Sequence, residues 1–162
     1  MRALVVDGYN AIYKIPLLKK LMDRSLEEAR AKITELAEEY QRRKGGIDKI
    51  CVVFDGKDTY RDAAFTTPPH QVFSRTGEGD REIVIVISRL SKKYDVEVVS
   101  DDNFIRNNAR AYNARIVGIS EFATFFNKQW KNISRKKKIN NKISPEAASK
   151  INEYLKKHWN IS

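Results

Sequence analysis

An α/β fold on a mainly parallel central sheet is what this sequence predicts, and three features predict it. Three short apolar runs each end in an acid: Leu4-Val5-Val6-Asp7, Cys51-Val52-Val53-Phe54-Asp55 and Val96-Glu97-Val98-Val99-Ser100-Asp101. The runs are rich in β-branched residues, as strands covered on both faces are. The stretches between them carry apolar residues at helical spacing, the alternation that builds parallel sheets. In open sheets of this kind the ligand crevice lies outside the carboxyl ends of the strands, so the three aspartates are expected at one edge. Clustered carboxylates repel one another and resist desolvation unless a cation joins them, which points to a divalent metal site.

Taken in order, Asp7-Gly8-Tyr9-Asn10 reads as a turn after the first strand. Ser25-Leu26-Glu27-Glu28 is a capping box that opens a helix, and Gly45-Gly46 closes it. Leu26, Ala29, Ile33, Leu36, Ala37 and Tyr40 share one face of that helix and are expected in the core. The second strand covers about Lys49 to Asp55, and a long polar connection containing Pro68-Pro69 leads to a short strand at Val72-Phe73. The run Ile83-Val84-Ile85-Val86-Ile87 has the composition of a strand, yet Ile83, Ile87, Leu90 and Tyr94 keep helical spacing behind Asp80, read as an N-cap; helix is the choice. After the third acid-terminated strand, Phe104, Ala109, Ala111 and Tyr112 suggest a helix and Arg115 to Ile119 a further strand.

With 162 residues, 41% of them hydrophobic, the chain is expected to fold as one domain with a substantial core. No apolar stretch approaches the ~18 residues of a membrane span, and no leader pattern is visible, so a soluble, non-secreted protein is expected. The single cysteine, Cys51, sits in an apolar strand, which excludes a disulfide framework or a zinc-cysteine cluster and predicts a buried thiol. The net charge of +10 is uneven: residues 1–127 carry a balance of +2 and residues 128–162 a balance of +8. Such polarity is a usual footprint of a polyanion, here nucleic acid. The basic segment from 128 is read as helical, packed on the same domain, with Ser144-Pro145-Glu146 starting a last helix. Trp130 and Trp159 read as packing residues or as stacking platforms for bases.

Several chemistries are excluded. Asp7 lacks a second aspartate two residues on, which disfavours a phosphoaspartate phosphatase, and neither GxxxxGK[ST] nor a strand-linked GxGxxG is present. Only His70, read as a loop residue, and His158 are available for histidine chemistry. What remains is an all-oxygen carboxylate site suited to Mg²⁺ or Mn²⁺.

The segment Leu4-Val5-Val6-Asp7-Gly8-Tyr9-Asn10, with Val53-Phe54-Asp55-Gly56 and Val98-Val99-Ser100-Asp101-Asp102 downstream, resembles the YacP-like branch of the NYN domains, within the PIN-like nucleases. The resemblance covers roughly residues 1–127, and the DGYN tetrapeptide is its most specific element. It implies a three-layer α/β/α fold, a metal-dependent ribonuclease site, and cytoplasmic RNA partners that include ribosomes in some members. Position by position, Asp7 matches the first metal-binding aspartate, Asn10 the polar residue closing the motif, and Asp55 and Asp101 the later strand-end acids. In the loop the family often shows glycine-glutamate-threonine-alanine-aspartate, whereas this chain has Gly77-Glu78-Gly79-Asp80, one residue shorter. Asp80 is the best match there, with Glu78 and Glu82 as alternatives, and Asp102 can serve beside or instead of Asp101.

The reading is a Mg²⁺- or Mn²⁺-dependent ribonuclease, expected to be an endonuclease, with Asp7, Asp55, Asp80, Asp101 and Asp102 around one or two cations and Asn10 orienting a carboxylate or a water. Lys57, Arg61, Arg75, Arg106 and Arg110 are candidate phosphate contacts, and Arg135, Lys136, Lys137 and Lys138 form a basic run suited to RNA. Tyr9 and Phe54 are expected to pack rather than to stack on bases. The rival reading is a non-catalytic RNA- or ribosome-binding module with the same fold; a metal-dependent phosphatase for small phosphoesters is a third, and it has no need of the basic tail.

Overall fold

A computed structural model describes residues 1–55, 70–74 and 79–126. Strand β1 (Arg2–Asp7) is followed by helices α1 (Gly8–Lys14), α2 (Pro16–Arg24) and α3 (Leu26–Lys44). Then come β2 (Lys49–Asp55), β3 (Gln71–Ser74), α4 (Gly79–Leu90), β4 (Asp95–Val99), α5 (Asn103–Ala111) and β5 (Arg115–Val117). The five strands form a single all-parallel sheet in the order β3-β2-β1-β4-β5. The expected α/β architecture is therefore present. The chain divides into two compact units, Met1–Phe122 and Ala123–Ser162. Of the second unit only residues 123–126 are described; they are helical, and the Phe125 and Phe126 rings meet edge to face at 5.7 Å.

Alternation along the strands explains the layers. Ala3, Val5, Cys51, Val53, Val96 and Val98 point to one face, where Ile83, Ile87 and Leu90 of α4 and Ile105 and Ala109 of α5 cover them. The intervening positions, Leu4, Val6, Ile50, Val52 and Phe54, are buried on the other face, on which α1 and α3 pack. The β-branched run 83–87 is helical because its period of burial suits one stripe of α4: Ile83 and Ile87 are buried while Ile85 is exposed. Propensity yields there to packing. Cys51 is buried as expected, and burial pushes its thiol up.

Three local expectations need correction. Asp7-Gly8-Tyr9-Asn10 is not a turn, since α1 begins directly at Gly8. The chain then re-aims at Ile15, which is extended because Pro16 follows, and Pro16 opens α2 at the first-turn position that tolerates it. Asp80 is in the first turn of α4 rather than at its N-cap. The last strand stops at Val117, and residues 119–126 are helical. In α5 the buried face is Ile105 and Ala109, while Phe104 and Tyr112 are exposed. The capping box at Ser25 holds, with Ser25 Oγ accepting from the Glu28 amide at 3.2 Å, and Leu26 is half-buried while the rest of the predicted face of α3 is buried.

One ionic group is built into the face shared with α3. Glu97, on β4, is buried and accepts from Lys44 Nζ at 2.6 and 2.7 Å and from Tyr40 Oη at 3.3 Å. Burial works against the Lys44 ammonium, but the bonds to Glu97 and Tyr40 outweigh it and leave its pKa above the usual value. The same helix end carries Arg42, Arg43 and Lys44, whose charges suit the helix dipole.

Candidate active site at the carboxyl edge of the sheet

Strand order sets where the site lies. The chain runs from β1 outward to β2 and β3, then returns to β4 on the opposite side of β1. The crevice of such a sheet opens at this reversal, between the carboxyl ends of β1 and β4. Val6 is level with Val99 in the register, so Asp7 and Ser100 come level one step further on. Their side chains meet there, and Ser100 Oγ donates to Asp7 Oδ2 at 2.9 Å. Ser100 Oγ in turn accepts from the Asp102 amide at 3.1 Å. Asp102 Oδ1 caps α5 by accepting from the Ile105 amide at 3.1 Å.

Asp7 is the electrostatic centre of this edge. It is only 8% exposed, and although it occupies the N-cap position of α1 its side chain closes no capping hydrogen bond. Burial raises its pKa from 3.8 to about 6. The Ser100 hydroxyl opposes that rise, the charges of Asp80 and Asp102 add to it, and the Asn10 backbone amide exerts a weaker opposing pull. Three of the expected acids, Asp7, Asp80 and Asp102, thus share one field, with Asp80 delivered by the first turn of α4.

Asp55 ends β2 at the same edge of the sheet, next to Ser74 in the register and two residues beyond Val53, the partner of Asp7. Asp101 belongs to a different set of interactions. Its Oδ1 accepts from the Ile119 amide at 3.0 Å, its Oδ2 is 3.3 Å from Lys14 Nζ, and its amide donates to Asn10 Oδ1 at 3.1 Å. Asn10 therefore reaches the β4–α5 loop from α1. Glu82 is in the first turn of α4 behind Asp80. Lys57, Arg61, Arg75, Glu78, Arg135, Lys136, Lys137 and Lys138, with Trp130, Trp159, His158 and the helix expected from Ser144, lie outside the described residues.

On α5, Arg106 is half-buried, and its Nε is enclosed with no hydrogen-bond partner among the described residues. Arg110 is exposed and donates to Asn107 Oδ1 at 3.0 Å. Tyr9 and Phe54 pack against each other with ring centroids 5.2 Å apart, and Phe54 stacks on Phe73 at 5.5 Å. The Arg30 guanidinium closes this group: it donates to Tyr9 Oη at 2.8 and 3.0 Å and lies 5.5 Å from the Phe73 centroid. His70 is an exposed turn residue, as expected.

Sequence reasoning passed over Ser100 and Lys14. Ser100 looked like one more residue in a strand-end run; the register that sets it level with Asp7 was the only signal available. Lys14 sits 87 residues from Asp101 along the chain, and nothing local links them.

A family model for the YacP-like NYN domain matches residues 4–161. The chain belongs to the YacP-like NYN family. The match extends past the roughly 127 residues over which the motifs carry the resemblance and takes in most of the basic segment. Among solved structures, that of a point mutant of Rae1 (YacP) from Bacillus subtilis is 28% identical with a TM-score of 0.64, over 89% of this chain and 87% of that one. A second Rae1 (YacP) structure from the same organism is 24% identical, again with a TM-score of 0.64, over 99% and 93% of the two chains; it speaks to the fold alone. No curated protein matches the chain. Membership in this family, with its PIN-like nuclease fold, supports a ribonuclease-type function. No helix among the described residues is long and apolar enough to cross a membrane.

The donor set fits a hard divalent cation. All candidate ligands are carboxylate oxygens, and Asp7 is a buried acid whose neighbours add negative charge rather than cancel it. Among the described residues, no three acidic, histidine or cysteine side chains stand close enough to ligate one ion directly. Mg²⁺ does not require that, because it keeps several waters and binds through one or two carboxylates.

Proposed function

We propose that this protein is a Mg²⁺- or Mn²⁺-dependent endoribonuclease acting at the carboxyl edge of β1 and β4. The observation that carries the reading is Asp7: a buried carboxylate at the strand-order reversal, pushed up to about 6 by burial, with Asp80 and Asp102 adding to the rise. Asp7, Asp80 and Asp102 would hold the ion directly or through its waters, and Asp55 joins them on its place in the register. When bound, such an ion supplies positive charge for the scissile phosphate and acidifies water for attack.

The residues of the chain have separable tasks. Ser100 holds Asp7 Oδ2 in one orientation, so the ligand oxygens are set before the substrate arrives. Arg106 and Arg110 are carried by α5, which starts beside the acids, and are assigned to RNA phosphates, whose oxygens guanidinium groups bind well. The partner is RNA, and ribosome-associated RNA in the cytoplasm is the candidate class suggested by the family resemblance. A cleavage assay with structured RNA, single-stranded RNA, DNA and a chromogenic phosphoester, with Mn²⁺ or with chelator, tests the reading. Internal cleavage of RNA only with the metal is expected. Binding without cleavage would instead select the non-catalytic RNA-binding module, and turnover of the phosphoester alone would select a phosphatase.

The basic run Arg135, Lys136, Lys137 and Lys138 is assigned to affinity, since the acids lie within residues 1–102 and the charge excess after 127. Neutralising all four is expected to weaken RNA binding and to flatten its salt dependence. The log-log slope should shrink by about 0.7 for each phosphate of a single strand that the protein no longer neutralises. Cleavage at saturating RNA should change little. Binding titrations at several salt concentrations read the slope, and an unchanged slope would move the RNA path to other cations.

A further inference from the structure

We infer that Asp101 is a positioning residue rather than a metal ligand: with Asn10 and the Ile119 amide it anchors the Ser100–Asp102 loop that sets Asp7. The inference rests on the metal-dependent reading above and refines which acids serve it.

The argument starts from alternation. Side chains along a strand switch faces at each residue, and β1 and β4 run level from Arg2 with Asp95 to Val6 with Val99. One step beyond, Ser100 meets Asp7, so Asp101 is directed to the opposite side of the sheet edge. That side belongs to α1, and both groups that α1 offers there, Asn10 Oδ1 and Lys14 Nζ, meet Asp101 at 3.1 and 3.3 Å. The third partner, at 3.0 Å, is the amide of Ile119, the first of the helical residues 119–126. Both carboxylate oxygens and the main-chain amide of Asp101 are therefore engaged, and they tie together α1, the β4–α5 loop and the start of the helical segment after β5.

Two features of the anchor differ in weight. Lys14 is half-exposed, so its ion pair with Asp101 contributes little. The hydrogen bonds from the Ile119 amide to Asp101 and from the Asp101 amide to Asn10 fix the loop, and Ser100 at its start holds Asp7. Groups that orient ligands in this way control metal affinity without touching the ion.

Mn²⁺ binding to the full chain, followed by the electron paramagnetic resonance of free Mn²⁺, separates the roles. Asp101→Asn keeps an oxygen for the Ile119 amide and is expected to bind Mn²⁺ almost as the wild type does. Asp101→Ala and Asn10→Ala remove opposite ends of the anchor and are expected to weaken Mn²⁺ by about tenfold. Asp7→Asn should lose the ion altogether. Loss of Mn²⁺ in Asp101→Asn as complete as in Asp7→Asn would make Asp101 a ligand and overturn the inference. Unchanged affinity in both alanine variants would reduce the anchor to a fold contact, which overturns it equally. Should Asp101→Ala fail to fold, Asn10→Ala carries the test. A wild-type protein that binds no Mn²⁺ would defeat the metal-dependent reading itself and this inference with it, a result distinct from the other two.

Discussion

Replacing Asp7 with asparagine is expected to abolish RNA cleavage while making the metal-free protein more stable at neutral pH. The unfolded chain ionises this aspartate near 3.8 and the folded chain near 6. Between those values the folded state holds the proton more tightly, so stability of the metal-free protein falls as pH rises through the window and stays reduced above it. A gap of that size corresponds to at most about 3 kcal/mol. Asparagine removes the charge yet keeps an oxygen for the Ser100 hydroxyl, so a gain of about 1 to 3 kcal/mol is expected at neutral pH, fading towards pH about 4. Each kcal/mol moves the melting temperature by about 2 to 4 °C in a chain of this size. Mn²⁺ should reverse the order, raising the melting temperature of the wild type but not of the variant. Thermal unfolding across pH, with chelator and with Mn²⁺, reads all of this. A destabilised metal-free variant would assign Asp7 to helix capping instead.

Gly8→Ala is expected to damage the fold more than any other single methyl addition near the site. A Cβ at Gly8 would lie 2.3 and 2.4 Å from ring atoms of Phe54 and 2.9 Å from the Val53 carbonyl oxygen. Phe54 is fully buried, wedged between Tyr9 and Phe73, so its ring has nowhere to retreat. A loss of about 3 kcal/mol or more is expected from the overpacking. Denaturant unfolding should show a lower midpoint with an unchanged slope. Gly8→Ala combined with Phe54→Leu should recover part of the loss, leaving the clash with the Val53 carbonyl. The same close approach explains a glycine after Asp7: it lets α1 start on the last strand residue and brings Asn10 and Lys14 against the β4–α5 loop.

The positions of the strands and of α3 were legible because their signals are local. Lys49–Asp55 needed only a β-branched run bounded by polar residues, and Leu26–Lys44 only a serine cap, a helical stripe and a terminal glycine pair. The helix Gly79–Leu90 was legible against its own composition, because periodicity of burial outweighs propensity. α1 was missed because Asp-Gly-Tyr-Asn has turn chemistry, and what makes it helical is the space that Gly8 leaves beside Phe54, a meeting of residues far apart in sequence.

By itself the sequence determined the class of fold, the edge at which Asp7, Asp55 and Asp101 emerge, and the family, since all of these follow from strand-sized apolar runs and a short motif. Tertiary structure alone decided how those acids divide. A one-residue difference in register sets Ser100 level with Asp7 and turns Asp101 towards Asn10 and Lys14. Composition is blind to that step, because side-chain direction in a sheet depends on which residues of neighbouring strands stand level, and pairing between distant segments fixes it.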